Sequence, residues 1–329
     1  MSKPKTVLVT GANGFLGSEI IRQALAAGFN VRATGRKPNS KAQGVEYFQA
    51  DILDPDSLKG HLHKVDVLVH AGGLAHIFDK SSAIAPLFTS VNEKGTANVA
   101  LAAAKAHVRH FILISSVSVY GGSRNGGGED SGYFPYEPYG ESKLRAEQRA
   151  TDIAKASGMN LTILRLVTLY GEGDPGNVAR LMRTIDRGRF IWIGNGTNRK
   201  SLLHRDDAAG ACLKVIQNPP LGVNIYNVSA PSCSMREVMD GLADALEKHI
   251  PSFKIPTALA HFAALLFSIV PMRLVQTVGV TIQKWLADDV YDGQKFSAAY
   301  DFKTRVDLKE GLKREVLWYR GIQKKTVIK

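Results

Sequence analysis

The sequence predicts an α/β fold with a doubly wound parallel sheet and a smaller C-terminal lobe. A strand-like run, Val7 to Thr10, leads into three glycines spaced Gly11-x-x-Gly14-x-x-Gly17. An apolar helical pattern follows the glycines, and strand-like and helical runs then alternate through the first half of the chain. This alternation is typical of a parallel sheet covered by helices on both faces.

The glycine spacing suits the binding of a dinucleotide. Gly11 would let the chain turn sharply, Gly14 would let the backbone approach a pyrophosphate, and Gly17 would let the helix pack closely. The N–H groups of the first helical turn then face the phosphate charge. We therefore predict a Rossmann-type site; a glycine-rich turn in another α/β sheet is the alternative. The remaining predicted residues of this turn are Asn13, Phe15 and Leu16.

The end of the second predicted strand, Asn30 to Thr34, indicates which dinucleotide binds. An NAD site usually has an Asp or Glu about 20 residues beyond the glycines, which bonds the ribose 2′-hydroxyl. This chain has Arg36 there, followed by Lys37 and Lys41. Because a guanidinium binds a 2′-phosphate through charge-assisted hydrogen bonds, we predict NADP, with NAD as the alternative. An exposed loop cation is the other interpretation of Arg36.

Further predicted strands end near residues 49, 70 and 166. The carboxyl ends of parallel strands share one edge of an open sheet, and ligands bind at that edge. We therefore expect the residues at these three ends to contact the cofactor. They are Asp51, Ile52, Ala71, Gly72, Gly73, Leu166 and Val167.

A tyrosine and a lysine four residues apart, Tyr139 and Lys143, begin a helix predicted to continue toward Ala156. This spacing places both side chains on one helix face. An ammonium beside a phenol lowers the phenol pKa and allows proton transfer near neutral pH. A serine after the fifth predicted strand, Phe111 to Ile114, could hold a substrate oxygen. On spacing alone, such a pair is more often two surface residues. The glycine motif upstream, and the serine strand between that motif and the pair, favour the catalytic interpretation.

Beyond about residue 170 the alternation becomes irregular, which predicts a second lobe. We assign residues 1–170 to the dinucleotide-binding domain, with a partial contribution from 190–227, and 171–329 mainly to the smaller lobe. Asp206-Asp207 is expected to cap a helix. The C-terminal run Leu308 to Tyr319 has the spacing of a packed amphipathic helix.

The composition favours a protein of a reducing compartment with anionic partners. The 42 Lys and Arg against 30 Asp and Glu give a formal charge of +12. This charge could bind the phosphates of a cofactor and of a small substrate. The sequence contains no nucleic-acid recognition motif, so we do not expect a nucleic-acid partner. The two cysteines, Cys212 and Cys233, do not have the spacing of a disulfide pair, and the polar N-terminus does not resemble a secretory leader. Both observations favour a cytoplasmic protein. We predict no metal site.

An apolar run, Thr257 to Val270, is shorter than the roughly 18 residues that a membrane-spanning helix needs. His261 interrupts the run and Pro271 follows it. We expect a buried or half-buried helix and no transmembrane span. Contact with a membrane surface is the alternative.

Together these segments resemble the extended short-chain dehydrogenase/reductases, specifically the NAD(P)-dependent epimerase/dehydratase family. The resemblance rests on TGANGFLG, HAGG at His70, Asn92-x-x-Gly95-Thr96, SSVSVYG and YGESK. It implies that Ser116, Tyr139 and Lys143 are catalytic: Ser116 and Tyr139 hold the substrate oxygen, while Lys143 bonds the nicotinamide ribose and lowers the Tyr139 pKa. It also implies a homodimer through the Ala-rich helix and the helix that carries Tyr139.

Departures from the family pattern narrow the expected reaction. Leu166 stands where many members have proline, and no acidic residue follows Ser116-Val117-Ser118, which disfavours dehydration. We expect reduction of a 4-keto nucleotide sugar for surface polysaccharide assembly. The alternatives are a nucleotide-sugar 4-epimerase, a 3β-hydroxysteroid or lipid-type dehydrogenase, and a non-catalytic NAD(P)-binding scaffold or sensor. By the resemblance, the residues that would bind the nucleotide sugar are Asn177, Arg199, Lys200 and Arg273.

Overall fold

The computed structural model describes residues 4–40, 42–75, 84–122, 127–251, 253–259 and 285–327, with side chains as far as residue 323. The chain divides into two compact units. The first comprises Met1–Leu169, Arg205–Ser229 and Tyr291–Arg305. The second comprises Tyr170–His204, Ala230–Val290 and Val306–Lys329.

The strands and helices of the described residues follow in chain order. The strands are β1 (Thr6–Thr10), β2 (Asn30–Gly35), β3 (Glu46–Gln49), β4 (Val67–His70), β5 (His110–Ser116), β6 (Asn160–Leu166), β7 (Thr168–Tyr170), β8 (Trp192–Ile193), β9 (Arg199–Lys200), β10 (Leu202–His204), β11 (Val223–Val228), β12 (Cys233–Ser234) and β13 (Lys254–Ile255). The helices are α1 (Phe15–Ala26), α2 (Ile84–Phe88), α3 (Gly95–Lys105), α4 (Pro138–Ser157), α5 (Asn177–Asp186), α6 (Arg205–Gln217), α7 (Met235–Leu246), α8 (Gln294–Tyr300) and α9 (Leu308–Val327).

A parallel sheet of seven strands forms the centre of the first unit, in the order β11-β6-β5-β4-β1-β2-β3. β1 pairs with β2 on one side and with β4 on the other, so the direction of winding reverses beside β1. In open α/β sheets the crevice for a ligand lies at this reversal. The predicted Rossmann-type fold is therefore confirmed.

Apolar strands fix the sheet in the interior of the first unit. Leu68 of β4, Phe111 of β5 and Leu161 of β6 have no exposed surface and pack with Val99 of α3 and Ala150 of α4. Helices α1 and α6 pack against each other elsewhere on this unit. Full burial of a large apolar side chain contributes about 1.5 to 3 kcal/mol, so these strands have little freedom to shift.

The second unit has its own core, built mainly from helices. Leu312 and Val316 of α9 pack with Val238 and Leu242 of α7 and with Met182 of α5. The predicted packing role of the C-terminal amphipathic helix is confirmed. Short ladders also lie in this unit: β9 pairs with β12, and β8 pairs with β13. β10 pairs with β7 in a further two-stranded ladder.

One local feature refines the sequence expectations and two differ from them. The Ala-rich run over residues 83–106, expected as a long helix with breaks, consists from residue 84 onward of α2, a π-helical turn over Thr89–Lys94 and α3. Helix α6 begins at Arg205, so Asp206 and Asp207 lie within its first turn, and the prediction that they cap it from outside is wrong. β11 was not predicted as a strand; it occupies an edge of the sheet, where alternation of apolar residues is weaker.

The predicted apolar helix is described only at its first three residues, Thr257 to Leu259, which are helical. The rest of that run and Arg273 lie outside the described residues. Among the helices that the structure describes, none has the length and apolarity needed to cross a membrane.

Candidate active site

The parallel sheet brings the predicted cofactor residues to one edge. Each lies at or just beyond the carboxyl end of its strand. These ends meet on one side of the sheet because neighbouring strands run in the same direction. Gly11 follows β1, Arg36 follows β2, Asp51 lies shortly after β3, and Ala71 follows β4. On β6, Leu166 is the last residue, and the adjacent Val167 is also buried and donates its N–H to the carbonyl of Val228 at 3.4 Å.

The glycine turn is closely packed. Gly11 has a φ of +69°, and a Cβ there would lie 2.7 Å from the carbonyl oxygen of Ala71. A Cβ on Gly17 would overlap the carbonyl of Gly11. Gly14 is the N-cap of α1 and offers no side-chain cap to the N–H groups of Phe15 and the residues after it. Uncapped amides at a helix start and a turn without side chains fit the pyrophosphate of a dinucleotide.

The side chains around this turn restrain the neighbouring loops. Asn13 Nδ2 donates to the carbonyl of Asn39 at 2.9 Å. The carboxylate of Asp51 accepts the N–H of Leu53 at 3.0 Å. The carbonyl of Ile52 accepts Asn98 Nδ2 at 3.0 Å. These bonds hold the loops after β2 and β3 at the edge where the cofactor is expected.

The end of β2 carries a free cation. Arg36 is exposed, and its guanidinium has no hydrogen-bond or ion-pair partner within the described chain. The carbonyl of Arg36 accepts Gln49 Nε2 at 2.9 Å, and Tyr47 donates to the carbonyl of Lys37 at 2.6 Å. The backbone is therefore fixed while the guanidinium stays available for an anion.

A buried histidine supports the loop after β4. His70 Nδ1 lies 2.7 Å from Thr10 Oγ1, and its Nε2 lies 3.1 Å from Thr96 Oγ1. Thr10 Oγ1 also accepts the N–H of Gly72 at 3.2 Å, so it can donate its own proton to His70. Burial, and secondarily the charge of Lys143, lower the pKa of His70 to about 3. A neutral His70 thus links β1, α3 and the loop of Gly72 and Gly73.

Asn92, inside the π-helical turn, joins that loop to α4, the helix that carries Tyr139. Its Oδ1 accepts the N–H of Leu74 at 2.7 Å, and its Nδ2 donates to Ser142 Oγ at 3.0 Å. Ser142 Oγ in turn donates to the carbonyl of Tyr139 at 2.7 Å. A Cβ on Gly73 would lie 3.0 Å from Asn92 Oδ1, so the loop fits closely here.

Ser116 ends β5 and caps the 3₁₀ turn Val117–Tyr120. Its Oγ accepts the N–H of Ser118 at 3.2 Å and donates to Ser118 Oγ at 3.0 Å. Its side chain also lies near enough to the Tyr139 phenol to lower the pKa of that phenol. The structure therefore brings together the serine and the tyrosine that the family resemblance indicated.

Tyr139 lies in the first turn of α4, half-buried, with the ring of Phe88 at 5.7 Å between centroids. Burial raises the pKa of Tyr139, and the nearby side chain of Ser116 partly offsets that rise. The expected lowering of the Tyr139 pKa by Lys143 is not found in the polypeptide, where Ser116 is the group that lowers it. The phenol of Tyr139 is therefore protonated at neutral pH.

Lys143 follows one turn later on α4 and is 9% exposed. Its Nζ donates to the carbonyl of Ile114, on β5, at 2.5 Å. Burial lowers the pKa of Lys143 to about 8, while the charge of Glu147 acts in the opposite direction. Ser116, Tyr139 and Lys143 thus lie at one end of β5 and the start of α4.

Sequence reasoning did not assign a role to two charged residues behind this group, Glu147 and Arg165. Arg165 Nη2 donates to Glu147 Oε2 at 2.6 Å, and Arg165 Nη1 donates to Tyr120 Oη at 2.8 Å. Tyr120 Oη donates to Asn227 Oδ1 at 2.8 Å. A glutamate one turn after Lys143 and an arginine within an apolar strand were visible in the sequence, but only the fold shows that they meet.

The predicted sugar-nucleotide residues belong to the second unit. Asn177 is exposed at the first position of α5. Arg199 Nε donates to Ser232 Oγ at 2.9 Å, and Lys200 Nζ donates to the carbonyl of Ala287 at 2.8 Å. Both cations are held by local partners. Their role in binding a substrate remains a prediction.

A parallel sheet with a glycine turn at its reversal and with Ser, Tyr and Lys at the same edge defines an NAD(P)-dependent enzyme of the short-chain dehydrogenase/reductase type. The chain belongs to the NAD dependent epimerase/dehydratase family, whose family model matches residues 7–229.

Two relatives extend this comparison. The chain is 29% identical over 314 residues to the N-acetyl-alpha-D-glucosaminyl-diphospho-ditrans,octacis-undecaprenol 4-epimerase of Escherichia coli O157:H7, covering 94% of this chain and 93% of the relative. It is 30% identical over 263 residues to the UDP-glucose 4-epimerase of Vibrio cholerae, covering 78% and 80%.

A solved structure shows the same architecture. DesIV, the dTDP-glucose 4,6-dehydratase of Streptomyces venezuelae with NAD bound, is 25% identical and has a TM-score of 0.77. The match covers 97% of this chain and 98% of DesIV. The likeness therefore extends through both units rather than the dinucleotide-binding part alone.

Proposed function

We propose that this enzyme reduces the 4-keto group of a nucleotide sugar, using NADPH as the reductant. The observation that carries the proposal is the guanidinium of Arg36 at the end of β2, which has no partner among the residues that the structure describes. No carboxylate occupies residues 35–40, where an NAD site would bind the ribose hydroxyls. A fixed backbone and an unpartnered cation suit the 2′-phosphate of NADP.

The protonation state of Tyr139 agrees with reduction. A carbonyl that is being reduced needs a proton donor at its oxygen, and the raised pKa of Tyr139 keeps its phenol protonated at neutral pH. Ser116 would donate a second hydrogen bond to that oxygen. The reduced nicotinamide, when bound, supplies the hydride.

Lys143 has two roles in this proposal. Its buried ammonium would bond the nicotinamide ribose and stabilise negative charge as Tyr139 gives up its proton. A lysine whose pKa lies at about 8 is still mostly charged at neutral pH. The enzyme is therefore expected to lose activity above that pH as the ammonium is neutralised.

Dehydration is disfavoured, because elimination needs an acid and a base that this turn lacks. The 3₁₀ turn after Ser116 reads Val117-Ser118-Val119-Tyr120 and carries no carboxylate. Reduction and epimerisation both require only the serine, the tyrosine and the lysine. Dehydratase activity of the kind named for DesIV is therefore not proposed here.

A 4-epimerase is the second candidate, and the names of the two relatives favour it. An epimerase retains its nicotinamide and returns the hydride to the other face of the same sugar. A reductase exchanges cofactor at every turnover. The two candidates therefore differ in whether added NADPH is consumed.

For the substrate, we propose a sugar carried on a diphosphate. The named substrates of both relatives contain a sugar on a diphosphate. In the second unit, the cations Arg199 and Lys200 are suited to such a group, although each now bonds a carbonyl. A sterol or lipid-type substrate would not use these charges, which are costly to bury without an anion.

The test is an NADPH oxidation assay with UDP- and dTDP-linked 4-keto-6-deoxyhexoses as substrates. We expect one NADPH oxidised per sugar reduced, and loss of turnover in Tyr139→Phe with NADPH binding retained. A Tyr139→Phe variant that kept full turnover would refute the assigned proton donor. A non-catalytic scaffold would bind NADPH and oxidise none.

A further inference from the structure

A buried carboxylate lies directly behind the catalytic residues. Glu147, one turn beyond Lys143 on α4, is 3% exposed. Arg165 of β6, 1% exposed, donates to it through Nη2 at 2.6 Å and through Nε at 3.0 Å. Ser115 of β5 donates its hydroxyl to Glu147 at 2.5 Å. One carboxylate thus connects three elements of the first unit.

Two of these elements carry the reacting groups. Ser115 immediately precedes Ser116 on β5, and Glu147 shares α4 with Tyr139 and Lys143. We propose that Glu147 is a positioning residue for the reaction, because its bond to Ser115 sets how β5 and α4 lie against each other and so aligns Ser116 with Tyr139. This inference rests on the proposed role of Tyr139.

The arrangement extends beyond the ion pair. Arg165 bonds Tyr120, whose hydroxyl bonds Asn227 of β11. Asn227 in turn donates through Nδ2 to the carbonyl of Gly127 at 2.9 Å, and its N–H is accepted by Glu129 at 2.7 Å. Arg165, the partner of the Glu147 carboxylate, is therefore itself held by a chain of hydrogen bonds through Tyr120 and Asn227, and this chain fixes the Glu147 carboxylate against the sheet.

Stability alone is a weak explanation for this pair. Removing two charges from water costs several kcal/mol per ion, and well-packed apolar residues often serve equally well. In the proposed role, this buried ion pair instead fixes a single arrangement of α4 against β5 and β6 beside the reacting groups. Loss of Ser115 should therefore reduce catalysis in the folded enzyme, in addition to the stability lost with the hydrogen bond.

Glu147 also acts on the charge of Lys143. Among the described residues, His70 on β4 is also within reach of the Lys143 charge, and it is neutral. Burial lowers the Lys143 pKa to about 8, and the carboxylate of Glu147 opposes that shift. Neutralising Glu147 lowers the Lys143 pKa further, so the alkaline fall in activity moves to lower pH.

The experiment compares Ser115→Ala and Glu147→Gln with Glu141→Gln as the matched control. Glu141 lies on the same helix, is about half exposed and pairs with Arg145. Each variant is assayed with NADPH and a 4-keto nucleotide sugar across pH, with kcat expressed per folded protein. Melting temperature, NADPH affinity and the phenolate absorbance of Tyr139 are measured alongside.

We expect Ser115→Ala to lower kcat about tenfold, because Ser116 is no longer aligned with Tyr139, with NADPH affinity near wild type. Losing a buried hydrogen bond to a charged group also lowers the free energy of unfolding by about 1.5 to 3 kcal/mol, so kcat is measured well below the melting temperature of the variant. Glu147→Gln lowers kcat and moves the alkaline limb and the phenolate titration, whereas Glu141→Gln changes neither. If Glu147→Gln does not fold, Ser115→Ala alone decides.

The positioning role is overturned if the folded variants keep the wild-type kcat and pH profile and only melt earlier. Tyr139→Phe separates this failure from failure of the proposed function. If Tyr139→Phe abolishes turnover while Ser115→Ala does not reduce it, the positioning inference alone fails. If Tyr139→Phe retains turnover, the assigned chemistry fails first.

Discussion

Replacing Arg36 with alanine is expected to weaken NADPH binding selectively. The guanidinium is exposed and without a partner among the described residues, so its removal breaks no contact within the fold. The change in affinity then reports the interaction with the 2′-phosphate directly. Folding stability should stay within about 0.5 kcal/mol of wild type, as for most surface substitutions.

The magnitude follows from the type of interaction. A hydrogen bond to a charged group contributes about 1.5 to 3 kcal/mol. At about 1.4 kcal/mol per factor of ten, loss of the Arg36 contact raises the Kd for NADPH roughly 10- to 150-fold. NADH has no 2′-phosphate, so its Kd should change less than about threefold.

The assay is titration of nucleotide fluorescence with wild type, Arg36→Ala and Arg36→Lys. Lysine keeps the charge but loses the two-pronged geometry, so an intermediate Kd is expected. Lys5→Ala is the control, because this substitution removes the same unit charge. Lys5 lies just before the amino end of β1, whereas Arg36 lies beyond the carboxyl end of β2. Equal weakening of NADPH and NADH by Arg36→Ala would refute the reasoning, as would no weakening of either.

Three further predictions concern the fold. Gly17→Val places a side chain against the Gly11 carbonyl and should abolish NADPH binding in titrations, with a lower melting temperature. Phe111→Ala empties a fully buried position and should lower the free energy of unfolding by about 3 to 5 kcal/mol in urea denaturation. Burial, with the charge of Asp174, raises the pKa of Glu315 from 4.5 to about 8. The stability that protonated Glu315 contributes is therefore fully present below about pH 4.5 and is lost as the pH rises to about 8. Glu315→Gln should therefore melt near wild type at about pH 5 and above it at about pH 9; parallel curves would contradict this.

The first unit was predictable because its features are local in the sequence. The glycine turn, the apolar runs of β1 and β4, and the four-residue spacing of Tyr139 and Lys143 each follow from a short stretch of chain. The parallel sheet then brings their ends to one edge. Arg36 could be assigned to that edge from the sequence, since it follows directly after the end of β2.

The remaining features depend on contacts between distant parts of the chain. Arg165 looks like a charge misplaced in an apolar strand until α4 brings Glu147 against it. The raised pKa of Tyr139 likewise results from burial, whereas the spacing to Lys143 alone indicated the opposite shift. A sequence pattern predicts which residues are neighbours within one helix or strand. Which residues are buried, and which distant residues pair, depends on the tertiary fold.

The most direct test of the proposed reaction follows the hydride itself. The enzyme is incubated with a 4-keto nucleotide sugar and NADPH that carries deuterium at both C4 positions of the nicotinamide, and the product is examined by NMR. The account predicts one deuterium at C4 of the sugar for each NADPH oxidised, and none with Tyr139→Phe. No deuterium in the sugar, together with interconversion of the 4-hydroxy epimers of a nucleotide hexose in a parallel incubation without deuterium uptake from the added NADPH, would contradict it and identify a 4-epimerase.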